Sequence, residues 1–144
     1  MFKRYTFWLW VAVIVQLLAA TTHSLSFFIK PIPTTETERQ LLELMASYRM
    51  DMGAGIHRSM QQLFTALSAC FPLLYLLSAL NNIYLLRKRV DASLVKGLIA
   101  IQIVVLGICF GVMAALTFLP PIVLTGLVFI TLSISYFLIP RSDH

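Results

Sequence analysis

The 144-residue chain is 59% hydrophobic and 12% charged, about half the charged fraction of an ordinary soluble domain. This argues against a soluble globular fold, which at this length buries about 70% of its unfolded surface and still needs a polar exterior, and it makes lipid the solvent for the rest. The net charge of +5 does not signal a nucleic-acid partner, because the eleven Lys and Arg residues stand at the ends of apolar runs rather than on one face.

A bilayer span needs about twenty apolar residues, and a charge at mid-membrane costs several kcal/mol, so charge-free runs mark the spans. The first is expected over about 5–29, bracketed by Lys3, Arg4 and Lys30, with Tyr5, Trp8 and Trp10 at interface depth. Lys3-Arg4 before the apolar stretch from Phe7 to Ala20 also resembles a signal peptide, but bulky Leu18 fits a cut after Ala20 poorly, so an uncleaved anchor is expected.

Pro31 and Pro33 end that helix. Thr35 and Glu38 then form a capping-box pattern, which predicts a short amphipathic helix over about 35–52. Leu41, Met45, Tyr48 and Met52 make its apolar stripe, Arg39 and Glu43 pair at i,i+4 on another face, and Gly53 and Gly55 end it. It is expected across the mouth of the bundle or on the membrane surface.

The second span is expected over about 59–86, closed by Arg87, Lys88 and Arg89 and kinked at Pro72. No charge occurs between Lys96 and Arg141, which leaves room for two helices, and Pro120-Pro121 divides them into spans over about 94–118 and 122–139. The expected architecture is an all-α membrane protein: one domain over 1–144, four transmembrane helices in an up-down bundle, and the short helix in the first extracytoplasmic loop. Seven basic residues (Lys3, Arg4, Arg87, Lys88, Arg89, Lys96, Arg141) lie on one side against four (Lys30, Arg39, Arg49, Arg58) on the other. Both termini are therefore expected on the cytoplasmic side of a cell membrane, taken to be a bacterial inner membrane.

Polar side chains inside spans are the default functional candidates. Gln16 and His23 share one stripe of the first span, and Gln61 and Thr65 lie at the outer start of the second, with His57 just above. Gln102 stands in the third span at a depth near that of Gln16, which suggests a bond between the two amides. Gln16, His23, His57, Gln61, Thr65 and Gln102 are thus a candidate polar pocket, for which interhelical hydrogen bonding is the favoured reading over a ligand site. Two His residues without an intramembrane carboxylate or thiolate set are a weak metal signal, and no metal or cofactor is expected. Asn81 and Asn82 are expected to reach headgroups. Cys70 and Cys109, at similar depth and without CxxC spacing, read as buried small hydrophobes.

Gly107, Gly111 and Ala115 form a small-residue ridge that lets another helix approach closely, from within the bundle or from a second copy. No Asp or Glu lies in any span, which disfavours proton-coupled exchangers, and no phosphate loop, zinc-protease or thiol-redox motif is present. With Thr22-His23-Ser24 near the outer end of the first helix, a helical loop and a polar start to the second helix, the first half of the chain resembles an uncharacterised family of small bacterial four-span integral membrane proteins. That resemblance implies topology and no activity. The expected function is a small accessory or interaction subunit whose partners are the lipid bilayer and a membrane protein or homodimer partner. The alternative is a ligand- or lipid-binding protein or enzyme using an outer-leaflet pocket around His23.

Overall fold

The computed structural model describes residues 4–29, 31–88 and 90–140. Lys3, Lys30, Arg89 and Arg141, four of the charges that bound the expected spans, lie outside the described residues. Five helices and one small hairpin follow in order: α1 (Tyr5–Ser26), α2 (Glu36–Ser47), β1 (Arg49–Asp51), β2 (His57–Ser59), α3 (Met60–Lys88), α4 (Ala92–Leu116) and α5 (Leu119–Leu138). Four of them, α1, α3, α4 and α5, are long and apolar enough to cross a membrane. Helices are the form such sequences take in lipid because every backbone N–H and C=O is then satisfied within the segment.

The short helix differs from its expected extent, stopping at Ser47 rather than about residue 52. Thr35 accepts the Glu38 N–H at 3.2 Å as expected of a cap, but the Glu38 carboxylate reaches one residue further back, to the N–H and hydroxyl of Thr34 at 2.6 and 2.7 Å. Those two bonds hold the Glu38 carboxyl below the ordinary carboxylate range. Arg39 pairs with both Glu36 and Glu43 on one face. Tyr48 and Met52 leave the helix because the chain turns extended and β1 pairs antiparallel with β2, Met50 opposite Arg58. The Gly53-Ala54-Gly55 turn has positive φ at all three residues, and the Asp51 carboxylate accepts the Gly53 N–H at 2.8 Å. The two glycines thus serve a hairpin and not a helix C-cap.

Ser59 and Gln62 start α3 with reciprocal side-chain to backbone bonds of 3.3 and 3.1 Å, a capping box with glutamine in the acidic position. At the α4–α5 break, Pro120 and Pro121 are not the turn itself. They occupy the first turn of α5, where their missing N–H groups cost nothing, and the chain reverses at Thr117 and Phe118.

α1 packs against both α3 and α5, and α5 packs against α4. The α1–α5 contact is tied by the Ser135 hydroxyl, which donates to the Tyr5 carbonyl at 3.1 Å. Lys96, near the start of α4, lies over the Tyr136 ring of α5 at 5.1 Å. Between α4 and α5 each helix seats an aromatic ring of the other over a glycine. The Phe129 ring covers Gly107 and the Phe110 ring covers Gly126, and the two rings stack with centroids 6.2 Å apart. A Cβ at Gly107 would meet Phe129 at 2.9 Å, whereas one at Gly111 would meet nothing within 4 Å. Gly107→Ala is therefore expected to cost about 1 kcal/mol in a detergent unfolding titration, and Gly111→Ala to cost nothing measurable.

Candidate functional site

Hydroxyls are common in the spans, but most are spent locally. Thr21, Thr22, Thr65, Thr117, Thr125, Thr131 and Ser133 each donate to a carbonyl four residues earlier in their own helix, at 2.6–2.9 Å. Such groups satisfy themselves and offer little to a ligand. Apart from the Ser135 hydroxyl on the Tyr5 carbonyl, the polar side chains that bond between helices among the described residues fall into two sets.

The first is a closed ring of uncharged groups. Gln16 Nε2 donates to Ser78 Oγ at 2.9 Å, Ser78 Oγ to Gln102 Oε1 at 2.6 Å, Gln102 Nε2 to Asn82 Oδ1 at 2.9 Å, and Asn82 Nδ2 back to Gln16 Oε1 at 3.2 Å. A fifth bond, Asn82 Nδ2 to Gln102 Oε1 at 3.0 Å, doubles the side of the ring between Gln102 and Asn82. Every member both donates and accepts, and the four outer bonds run in one direction, so each polarises the next. Gln16 and Asn82 are wholly buried and Ser78 nearly so. The ring lies about 16 Å along α1 from Tyr5, near the middle of that helix.

Gln16 and Gln102 thus meet, but through Ser78 and Asn82. Asn82 corrects the expectation that it reaches headgroups, since it is the busiest member of the ring. Ser78 and Asn82 stand four apart on α3, the i,i+4 spacing that gives one helix face, and that spacing was the available signal. It was hidden by the nearness of Asn82 to the basic cluster at the helix end.

The second set forms around the proline of α3. Pro72 has no N–H, so the carbonyl of Ser68, four residues earlier, loses its helical partner. His23 Nε2 lies 3.1 Å from that carbonyl oxygen. A carbonyl can only accept, so Nε2 carries the proton and Nδ1 is the second nitrogen of a ring already committed through Nε2. Phe27 and Phe71 flank the imidazole, with ring centroids 5.5 and 5.9 Å away. His23 is the neighbour that re-satisfies the proline-freed backbone, the requirement that a kinked membrane helix imposes.

His57, Gln61 and Thr65 are exposed. His57 sits in β2 opposite Asp51, and Gln61 lends its carbonyl to the Thr65 hydroxyl within α3. The six expected pocket residues therefore divide: Gln16 and Gln102 join the ring, His23 serves Ser68, and the other three stay at the surface.

Both cysteines are free, but neither is the buried small hydrophobe expected: Cys70 is exposed and Cys109 half-buried. The Tyr75 hydroxyl is buried against the Cys109 thiol. A groove of about 500 Å3 runs between α1 and α3 below His23, lined by Leu17, Ala20, Ser24, Phe27, Pro72 and Leu76, and is almost wholly apolar. Among the described residues no three His, Cys, Asp or Glu side chains gather as a metal site would require. Gly111 and Ala115, the second and third members of the small-residue ridge, are exposed.

No protein-family model matches the chain, and no curated protein or solved structure matches it either. The resemblance to small four-span bacterial membrane proteins is thus without support as a family assignment, and the coarser finding stands: four apolar helices compatible with a multi-pass membrane protein.

Proposed function

We propose that this chain is a small accessory or interaction subunit of a membrane, with its four spans in an up-down bundle and both termini in the cytoplasm. The observation that carries this reading is the contrast between interior and exterior. Inside, the amide and hydroxyl ring uses its own donors and acceptors, so the polar groups at mid-bilayer hold helices together and leave no unspent set for a substrate. Outside, α4 is the least covered span: 11% of its most apolar stretch is buried, against 33% for α1 and for α5. On that helix Gly107 is taken up by Phe129, but the ridge continues through exposed Gly111 and Ala115, the kind of surface that admits a helix of another protein.

The orientation rests on the bias of seven Lys and Arg residues to four, with Arg4, Arg87, Lys88 and Lys96 standing where α1 begins, α3 ends and α4 begins. A ligand-binding or enzymatic role around His23 has less support, since its Nε2 serves the Ser68 carbonyl and His57, Gln61 and Thr65 do not join it.

The test is purification in mild detergent with mass-spectrometric identification of what travels with the chain. Gly111→Leu is the informative variant, because the space above Gly111 is empty within the subunit and the fold should be unaffected. A membrane protein or second copy present at fixed stoichiometry with the wild type should be lost with Gly111→Leu. If that variant keeps every associated protein, α4 is not the contact face and the accessory reading loses its basis.

A further inference from the structure

We infer that the Leu41, Leu44 and Tyr48 side of α2 is a docking surface for the lipid of the leaflet in which α1 ends, held by apolar insertion and not by charge. Leu41, Leu44 and Tyr48 are 55%, 60% and 61% exposed, more than isolated surface apolar residues account for when they share one side of a helix. At about 100° per residue Leu41 and Leu44 fall within one arc of α2, with Tyr48 following at its C-cap, while Arg39 and its partners Glu36 and Glu43 fall on the far side. Leu42 and Met45 are half-buried, and α2 packs on α3 and β2, so the module already has its contact with the rest of the chain.

Lipid is the occupant because of where the exposed side lies in the chain. The 22 residues of α1 rise about 33 Å, enough to cross the hydrocarbon, which brings the residues after Ser26 to the headgroup boundary. Phe28, Ile29 and Ile32 there are 85%, 72% and 87% exposed, and on either side of Lys30 they carry apolar surface from the end of α1 toward α2. Tyr48 supplies the amphipathic ring that favours this depth. Charge does not drive the contact: residues 30–59 carry Lys30, Arg39, Arg49 and Arg58 against Glu36, Glu38, Glu43 and Asp51, so the segment has no net positive charge for an anionic surface to attract. The inference rests on α1 being a span, and its test separates the two.

Full-length protein in which Trp8 and Trp10 are replaced by Phe is reconstituted in phosphatidylcholine vesicles containing lipids brominated high on the acyl chain. A single tryptophan is placed by Leu44→Trp, by Ala46→Trp on the charged side of α2, or by Ile108→Trp on exposed α4. Ile108→Trp should be quenched by deeper brominated lipids; if it is not, the spans themselves fail. With that control quenched, Leu44→Trp should show blue-shifted emission strongly quenched by the shallow lipids, and Ala46→Trp should show neither. The Leu44→Trp quenching should be unchanged when phosphatidylglycerol is added or salt is raised. A Leu44→Trp signal that is unquenched overturns the inference, whether its emission is red, meaning water, or blue, meaning that protein covers the surface. Quenching that requires the anionic lipid overturns the apolar mode.

Discussion

Asn82→Leu is expected to destabilise the protein by about 2–3 kcal/mol, read from the midpoint of SDS-driven unfolding in mixed micelles. The substitution removes three hydrogen bonds, those to Gln16 Oε1, to Gln102 Oε1 and from Gln102 Nε2. At the average of about 0.6 kcal/mol for an interhelical bond in a membrane, those three set a floor near 2 kcal/mol. The orphaned Gln16 side-chain carbonyl and Gln102 amide N–H raise the cost, because a buried polar group left unpaired loses its solvation without return. The same reasoning makes a second expectation that separates a clasp from a merely polar core. Combining Asn82→Leu with Gln16→Leu, Ser78→Ala and Gln102→Leu removes every partner together, and the quadruple variant should recover to within about 1 kcal/mol of wild type. If it is instead worse than Asn82→Leu alone, by the sum of four independent losses, the groups do not act as one ring.

The ring also explains a division between what sequence reading reached and what it did not. Span number followed from the placement of charge, since gaps such as that from Lys96 to Arg141 leave the chain no other economical arrangement in lipid. The start of α2 and the Arg39 to Glu43 pair were legible because both are local, fixed by three- and four-residue spacings. The hairpin after Ser47 was missed: the run from Tyr48 to Met52 continues a helical apolar stripe, yet Gly53 and Gly55 with an Asx turn at Asp51 favour strand reversal, and β2 supplies the pairing. Two turn glycines so close together were the unread signal. Ser78 and Asn82 were missed for a different reason. Their i,i+4 spacing puts them on one face, but whether that face meets Gln16 and Gln102 depends on the rotation of three helices about their axes, which the spacing alone does not carry. His23 was singled out as a polar residue and Pro72 as a kink, but their meeting is again a property of two packed helices.

That meeting yields the sharpest test of what His23 does. His23→Leu is expected to cost about 1–3 kcal/mol in the same unfolding assay, because the Ser68 carbonyl then has neither a histidine nor a helical donor. Part of that loss comes from the imidazole's contacts with Phe27 and Phe71, so the single variant cannot apportion it. Pro72→Ala separates the two contributions by giving residue 72 an N–H able to bond Ser68 as in a regular helix. Ring contacts are lost equally in either background and cancel in the double-mutant cycle, leaving the carbonyl. His23→Leu in the Pro72→Ala background should therefore be milder by about 1 kcal/mol or more. A coupling near zero would mean that the imidazole is not serving the freed backbone, and its commitment to a structural role would be withdrawn. A large coupling, together with retained association of the His23→Leu Pro72→Ala variant, would make histidine and proline a compensating pair: a missing backbone bond in α3 made tolerable by one side chain of α1.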